Sequence, residues 1–359
     1  MKLLKEGGVL GFIVPNNLLR VTTYKSIRDE ILLHSKIVKI VDLSSGVFDN
    51  VTASTVIIIL QKDQDEDNRH NNMIDGIQGI SDLNAPAEHI TKIPQKMFYS
   101  NASSVFNIYS SSATFEKFQT IEQNGVKLGI IAETIIEGIV TPNGKSDFIS
   151  DNKIDDEWKH YLEGKDIRPY YINYKGKYIR YNRELLHRPR PEKVFNCPEK
   201  LICQRIGGGN RALTVAFDNE QYYTFASTNV IILKPEISYN LKYILGILNS
   251  RFLNYYYLSK FTNKSELTVN ISKTFLSQLP IKTIDFTNDV EKKKHGLLVV
   301  LVDKMIKLNK DIHMLSEYEI DKKQELEKEI KATDKKIDNL VYNLYGLTEE
   351  EIKIVEEGI

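Results

Sequence analysis

Between Lys159 and Arg211 the sequence sets thirteen basic side chains against five acidic ones, an excess of eight positive charges. Six tyrosines, Tyr161, Tyr170, Tyr171, Tyr174, Tyr178 and Tyr181, are threaded through the same stretch. Lysine and arginine neutralise phosphates, tyrosine adds hydroxyls and flat faces, and a guanidinium can also pair bidentately with a guanine edge. The pattern therefore predicts a nucleic-acid face. The residues expected to touch DNA are Lys165, Arg168, Arg180, Arg183, Arg188, Arg190, Gln204, Arg205, Asn210 and Arg211. The competing account is a solvated basic surface with the tyrosines in the core. Over the whole chain 48 basic residues balance 48 acidic ones, so any such face is local.

Other chemistry is weakly represented. Glu163-Gly164-Lys165 has the Glu-x-Lys spacing of metal-dependent nucleases, but no aspartate at the end of an apolar strand precedes it. The seven histidines make no ligand spacing, and Cys197 and Cys203 fit neither a zinc knuckle nor a redox pair. No metal is expected, and the cysteines read as two semi-buried thiols in a reducing compartment. Gly207-Gly208-Gly209 has no clear strand before it or helix after it, so it does not read as a cofactor loop. No apolar run is long enough to span a bilayer and the N-terminus is not a signal peptide, so the expected location is cytoplasmic.

The elements that must position these residues follow from periodicity. With 359 residues, 42% hydrophobic and 27% charged, the chain is long enough for two or three domains. Val9 to Val14 reads as a buried strand entered through Gly7-Gly8 and closed by Pro15-Asn16-Asn17. A helix carrying Ile27, Ile31 and Leu32 follows, then strands over Ile37 to Leu43 and Val56 to Leu60, which suggests one edge of an α/β sheet. Residues 63–125 read as a loop-rich connection with few elements. From 126 to about 285, short β-like segments (Tyr178 to Tyr181, Lys200 to Gln204, Leu213 to Phe217, Val230 to Leu233) and one helix, Asn240 to Leu258, suggest a mixed α+β domain. Leu301, Met305, Leu308, Ile312 and Leu315, resumed by Leu326, Ile330, Ile337 and Leu344, form a coiled-coil-like seam. A break near Ser316 to Asp321 suggests a helical hairpin over residues 286–359. Gly346 sits where a helix ends, and Thr348 with Glu351 makes a capping box for a last short helix.

The run from Leu4 through Gly7-Gly8-Val9-Leu10-Gly11-Phe12-Ile13-Val14-Pro15-Asn16 resembles the strand just after the catalytic motif of TaqI-like, type II and type IIG adenine-specific DNA methyltransferases. The resemblance continues through the helix around Arg28, the strand Ile37 to Asp42, Gly46-Val47-Phe48-Asp49-Asn50-Val51, and the strand Thr55 to Leu60. A second resemblance is to the target-recognition domain of the same enzymes. Its landmarks are Gly164-Lys165-Asp166-Ile167-Arg168-Pro169-Tyr170, Leu201 to Ile206, Ile247-Leu248-Asn249-Ser250 and Leu279-Pro280-Ile281. The stretch Ile337 to Glu351 resembles the tail that follows many such domains and occurs in type I specificity subunits.

These resemblances imply α/β and α+β architecture: residues 1–62 as the last strands of a class I, Rossmann-like methyltransferase sheet, 126–285 as the DNA specificity domain, and 286–359 as a helical tail. They imply target recognition within a site-specific, S-adenosylmethionine-dependent adenine methyltransferase of a restriction-modification system. In that family the aromatic matching Phe48 helps hold the flipped adenine, whereas periodicity alone favours an apolar plug at the sheet end. The family's glycine cofactor loop and Asn-Pro-Pro-Tyr motif are not in this sequence. This chain alone is therefore expected to hold no cofactor and not to transfer methyl groups by itself. The expected partners are double-stranded DNA and an N-terminal methyltransferase half. A non-enzymatic specificity module docking onto a separate catalytic chain is the alternative.

Overall fold

A computed structural model describes residues 3–43, 47, 54–80, 90–109, 112–142, 145–208, 211–262, 268–316 and 318–358. Phe48 and Asn210, both expected to touch DNA, lie outside the described residues. The chain divides into two compact units, Met1–Thr120 with Leu258–Glu266, and Ile121–Tyr257 with Leu267–Ile359. Mixed and antiparallel sheets are followed by a pair of long C-terminal helices.

In the first unit a single sheet runs in the order β1-β3-β2-β4-β5. Its strands are β1 (Val9–Pro15), β2 (Ser35–Leu43), β3 (Thr55–Lys62), β4 (Met73–Ile80) and β5 (Ile90–Pro94). Helix α1 (Lys25–His34) links the first two. The β-branched run of β3 places Val56, Ile58 and Leu60 in the core, where they meet Ile31, Leu32, Ile37, Ile40 and Phe98. Ile57 and Ile59, on the opposite face, are only half-buried. β1 pairs antiparallel with β3 from Val9↔Gln61 to Pro15↔Thr55, and β2 pairs with the other side of β3.

Two expectations change here. β1 is not a buried strand: it forms the edge of the sheet, with Val9, Phe12 and Ile13 exposed to 59%, 55% and 54%. A cavity of about 660 Å³, lined by Leu10, Phe12, Val14, Ile27, Ile31 and Leu60 among others, opens on the face between β1 and α1. The stretch after residue 63 is more than a loop-rich connection, because β4 joins β2 in parallel and β5 joins β4. Its strands are hard to read because Asp75, Gly76, Gln78 and Gly79 interrupt the apolar alternation of β4. Arg28, fully buried, ties α1 to the loops around it by donating to the carbonyls of Leu18, Val21 and Ser103. Burial pushes its guanidinium down to about 10.

The second unit contains β6 (Gly125–Lys127), β7 (Ala132–Glu137), β8 (Ile149–Ser150), β9 (Trp158–Leu162), β10 (Ile167–Arg168), β11 (Tyr171–Ile172) and β12 (Tyr178–Arg180). These are followed by β13 (Lys200–Gln204), β14 (Ile206–Gly208), β15 (Val215–Asp218), β16 (Tyr223–Thr224), β17 (Thr228–Leu233), β18 (Thr268–Asn270) and β19 (Pro280–Lys282). One four-stranded sheet runs β15-β13-β17-β7 and a second runs β16-β9-β12-β8. A cluster of Ile139, Tyr161, Ile179, Tyr181, Phe195, Tyr223 and Val230 joins strands of both sheets.

The predicted single helix Asn240 to Leu258 is two, α2 (Leu241–Asn249) and α3 (Arg251–Phe261). Ser250 is extended, and its Oγ donates to the Ile247 carbonyl and accepts from the Leu253 amide. Asn249 has a separate task. Its amide donates to the Val215 carbonyl at 2.9 Å and accepts the Val215 N–H at 3.1 Å, so a side chain serves the edge strand β15 as a partner strand would.

Helices α4 (Asp289–Met314) and α5 (Ile320–Tyr345) form the expected hairpin, and Lys304 pairs with Glu329 across it at 2.9 Å. The buried seam of α4 is Leu298, Val302, Met305 and Leu308, which keeps the expected Met305 and Leu308 and puts Val302 in the core in place of Leu301. Gly346 takes the left-handed conformation (φ +62°) that ends α5, and Thr348 and Glu351 form the capping box of α6 (Glu349–Glu357). No described helix is long and apolar enough to cross a membrane.

Candidate nucleic-acid interface

The sheet β15-β13-β17-β7 positions the centre of the basic region. At the end of β7, Glu137 accepts from two guanidinium groups. Arg205, the residue after β13, bonds Oε1, and Arg190 bonds Oε2 at 3.1 Å. Each arginine is pinned a second time by a carbonyl: Arg205 donates to Ala226 at 2.8 Å and Arg190 to Gly138 at 3.1 Å. Arg188 approaches the same carboxylate at only 4.0 Å, and its side chain is 56% exposed. Burial lowers the Arg205 guanidinium, and burial with Arg188 alongside lowers that of Arg190.

The loop that delivers Arg188 and Arg190 is held at both ends. Tyr181 donates its hydroxyl to the Arg190 carbonyl at 2.5 Å, and the backbones of Val140 and Arg188 exchange hydrogen bonds. Ser227 joins the landmark turn Gly164–Asp166 to this cluster, accepting from the Gly164 N–H on its Oγ and from the Arg205 N–H on its carbonyl. Glu163 and Asp166 cap that turn reciprocally, and Lys165 extends from it toward Glu163 at 3.2 Å. Gln204, at the end of β13, lies beside the same turn.

The expected residues outside the cluster are dispersed. Arg168 is exposed and donates to the carbonyls of Lys165 and Ile167, and Arg183 is exposed on the loop after β12. Arg180 pairs with Glu157 at 2.7 Å, and Arg211 pairs with Asp334 of α5 at 3.1 Å. Glu137, Glu157 and Asp334 all lie outside the stretch from Lys159 to Arg211, as do Asp151, Glu133 and Asp218, which pair with Lys177, Lys193 and Lys200, so the fold sets six outside carboxylates against the linear excess of eight. Lys200, part of that linear count, is fully buried against Asp218 at 2.6 Å and belongs to no surface.

The tyrosines divide as well. Tyr161, Tyr170 and Tyr181 are core residues. Tyr174 and Tyr178 surround His160, with Tyr174 stacked on it and Tyr178 edge-on, while Tyr171 stacks on His313 of α4 at 4.2 Å. Neither account of the tyrosines holds for all six. Glu137 is the residue that the sequence reading missed. Its signal was an acidic side chain closing an apolar strand just before Gly138, twenty-two positions ahead of the basic stretch.

Residues 1–130 match the N-6 DNA methylase family, and residues 159–281 match the TaqI-like C-terminal specificity domain. Over 269 residues the chain is 25% identical to a protein of Methanocaldococcus jannaschii assigned as a type II restriction enzyme and methyltransferase, covering 72% of this chain and 22% of that one. The type IIL restriction-modification enzyme MmeI, solved in complex with DNA, shares the fold at a TM-score of 0.57 and 12% identity, over 98% of this chain and 50% of its own. The DrdV-DNA complex does so at 0.50 and 10%, over 88% and 39%. The chain spans about a fifth of that curated relative and half or less of these structures. The chain thus joins a region matching the N-6 DNA methylase family to one matching the TaqI-like C-terminal specificity domain, and is related to the type II restriction-modification enzymes.

Proposed function

We propose that this chain reads the DNA target for a site-specific adenine methyltransferase of a restriction-modification system. Residues 126–285 are the DNA-reading domain, residues 286–359 its helical tail, and the sheet from β1 to β5 the last strands of the catalytic sheet. The observation that carries the reading is the arginine cluster on Glu137, whose three arginines, Arg188, Arg190 and Arg205, lie within the match to the specificity domain. Three guanidinium groups on one carboxylate leave two positive charges over, and guanidinium is the group best suited to phosphate oxygens and guanine edges. Lys165, Arg168 and Arg183, exposed in the same unit, supply further phosphate contacts.

The partner that completes catalysis is a methyltransferase half carrying the S-adenosylmethionine loop and the Asn-Pro-Pro-Tyr motif, and its docking edge is β1. An unpaired strand edge with exposed Val9, Phe12 and Ile13 is the kind of surface that another strand covers. The described residues do not fit the cofactor themselves. Gly207 and Gly208 lie in β14, and a side chain at Gly207 would meet the Ala212 carbonyl at 2.1 Å, so that glycine serves backbone packing rather than a ligand.

Duplex DNA titrated into the full chain at several salt concentrations tests the recognition role. Salt-sensitive binding is expected, and absent or salt-insensitive binding overturns it. Methyl transfer from labelled S-adenosylmethionine, measured with and without a co-expressed segment bearing the two missing motifs, tests the partner. Restoration only when the segment is present is expected, and a segment that neither associates nor restores activity favours a specificity module serving another catalytic chain.

A further inference from the structure

The three arginines on Glu137 are not equivalent. Its Oε1 is taken by Arg205 and its Oε2 by Arg190, and each of these guanidinium groups is also anchored on a carbonyl, Ala226 or Gly138. Either could reach a ligand only by giving up a paired carboxylate oxygen and a backbone acceptor. Arg188 gives up almost nothing. It stands 4.0 Å from an oxygen that Arg190 already occupies, makes no side-chain hydrogen bond among the described residues, and is more than half exposed. Its backbone is nonetheless fixed by the reciprocal hydrogen bonds with Val140.

Resting on the DNA-reading role proposed above, we infer that Glu137 is the positioning residue of a phosphate site in which Arg188 is the contacting cation. Arg190 and Arg205 each take one oxygen of Glu137 and more than neutralise its charge, so little attraction remains to capture Arg188, whose guanidinium is left to pair with a backbone phosphodiester of the duplex. The arrangement works as a counted set. Two arginines satisfy the carboxylate and the third is surplus. Removing one of the two makes the surplus arginine the carboxylate's replacement partner, so a residue that never touches DNA controls one that does.

The test is the slope of log K against log salt for a mixed-sequence duplex binding to the full chain. R188A should make the slope shallower by about 0.9, the value of one phosphate contact, with affinity falling uniformly across sequences. R205A should do the same, because Glu137 then captures Arg188, and the double variant R205A with E137Q should restore the wild-type slope or steepen it. A merely structural role for Arg205 predicts no such rescue. An unchanged slope in R188A overturns the inference, as does a folded double variant that stays as shallow as R205A. Loss of preference at a single base position in R188A, with the slope intact, overturns the phosphate assignment in favour of base reading. Arg188 is exposed, so its replacement carries the test even where R205A fails to fold. Wild-type protein that shows no salt-dependent binding fails the recognition role instead, a result distinct from any of these.

Discussion

Replacing Asp338 by asparagine should stabilise the second unit at neutral and alkaline pH and leave it nearly unchanged in acid. Asp338 lies on α5, almost fully buried, where it accepts the Arg251 N–H at 2.8 Å and sits 3.6 Å from the Arg251 Nε. Burial, with Asp334 one helical turn away, outweighs those contacts and raises its carboxyl from 3.8 to about 7. A carboxyl raised on folding favours the folded state while it is protonated. The contribution is fully present below about pH 4, is lost as the pH rises through about 7, and amounts to roughly 4 kcal/mol at most. Asparagine keeps the acceptor for the Arg251 N–H and never ionises. The advantage of D338N over wild type should therefore grow by roughly 2 to 3 kcal/mol between about pH 5 and about pH 8, less whatever the Arg251 ion pair contributes. The chain's single tryptophan, Trp158, is buried in this unit and makes its fluorescence a local probe of urea unfolding. A difference that stays constant or shrinks as the pH rises would refute the reasoning, because the carboxyl would then be no harder to ionise in the folded chain than in the unfolded one.

K200M should cost roughly 3 to 5 kcal/mol in the same urea assay, since it strands the carboxylate of Asp218 in a site with no solvent access. N249A should cost roughly 1 to 3 kcal/mol, because the Val215 N–H loses its partner while the Val215 carbonyl keeps the Tyr170 N–H. Amide exchange at Val215 should quicken in N249A more than at Leu201, whose strand is paired on both sides. Equal acceleration at the two positions would mean that Asn249 stabilises the unit in general rather than that edge.

The parts of this fold that were legible in the sequence are those where a local rule acts without competition. Val56, Ile58 and Leu60 could only be a strand, Gly346 could end a helix at positive φ, and Thr348 with Glu351 could cap the next. What was misread depends on neighbours distant in sequence. Leu241 to Leu258 keeps helical spacing straight through Ser250, and the break there is held by contacts the spacing does not show, Asn249 with Val215 and the Arg251 N–H with Asp338 of α5. Val9 to Val14 has the composition of a central strand, yet the sheet places it at the edge. Charge was the least local property. Counting from Lys159 to Arg211 picks out the arginines that gather on Glu137, but the carboxylates that decide which arginines are spent come from Glu137, Glu157 and Asp334, and the buried lysine in the count finds its partner at Asp218.

The carboxamide of Asn249 has a consequence for how such a domain can change. Asn249 holds both outward backbone groups of Val215, so at that residue β15 offers a foreign strand nothing to pair with, whereas β1 presents an open edge. The loop from Tyr181 to Pro191 is clamped at Tyr181 and Arg188, and between these anchors Arg183, Glu184, Leu185 and His187 face solvent. Substitutions there can alter what the surface meets, residue by residue, without disturbing strand register.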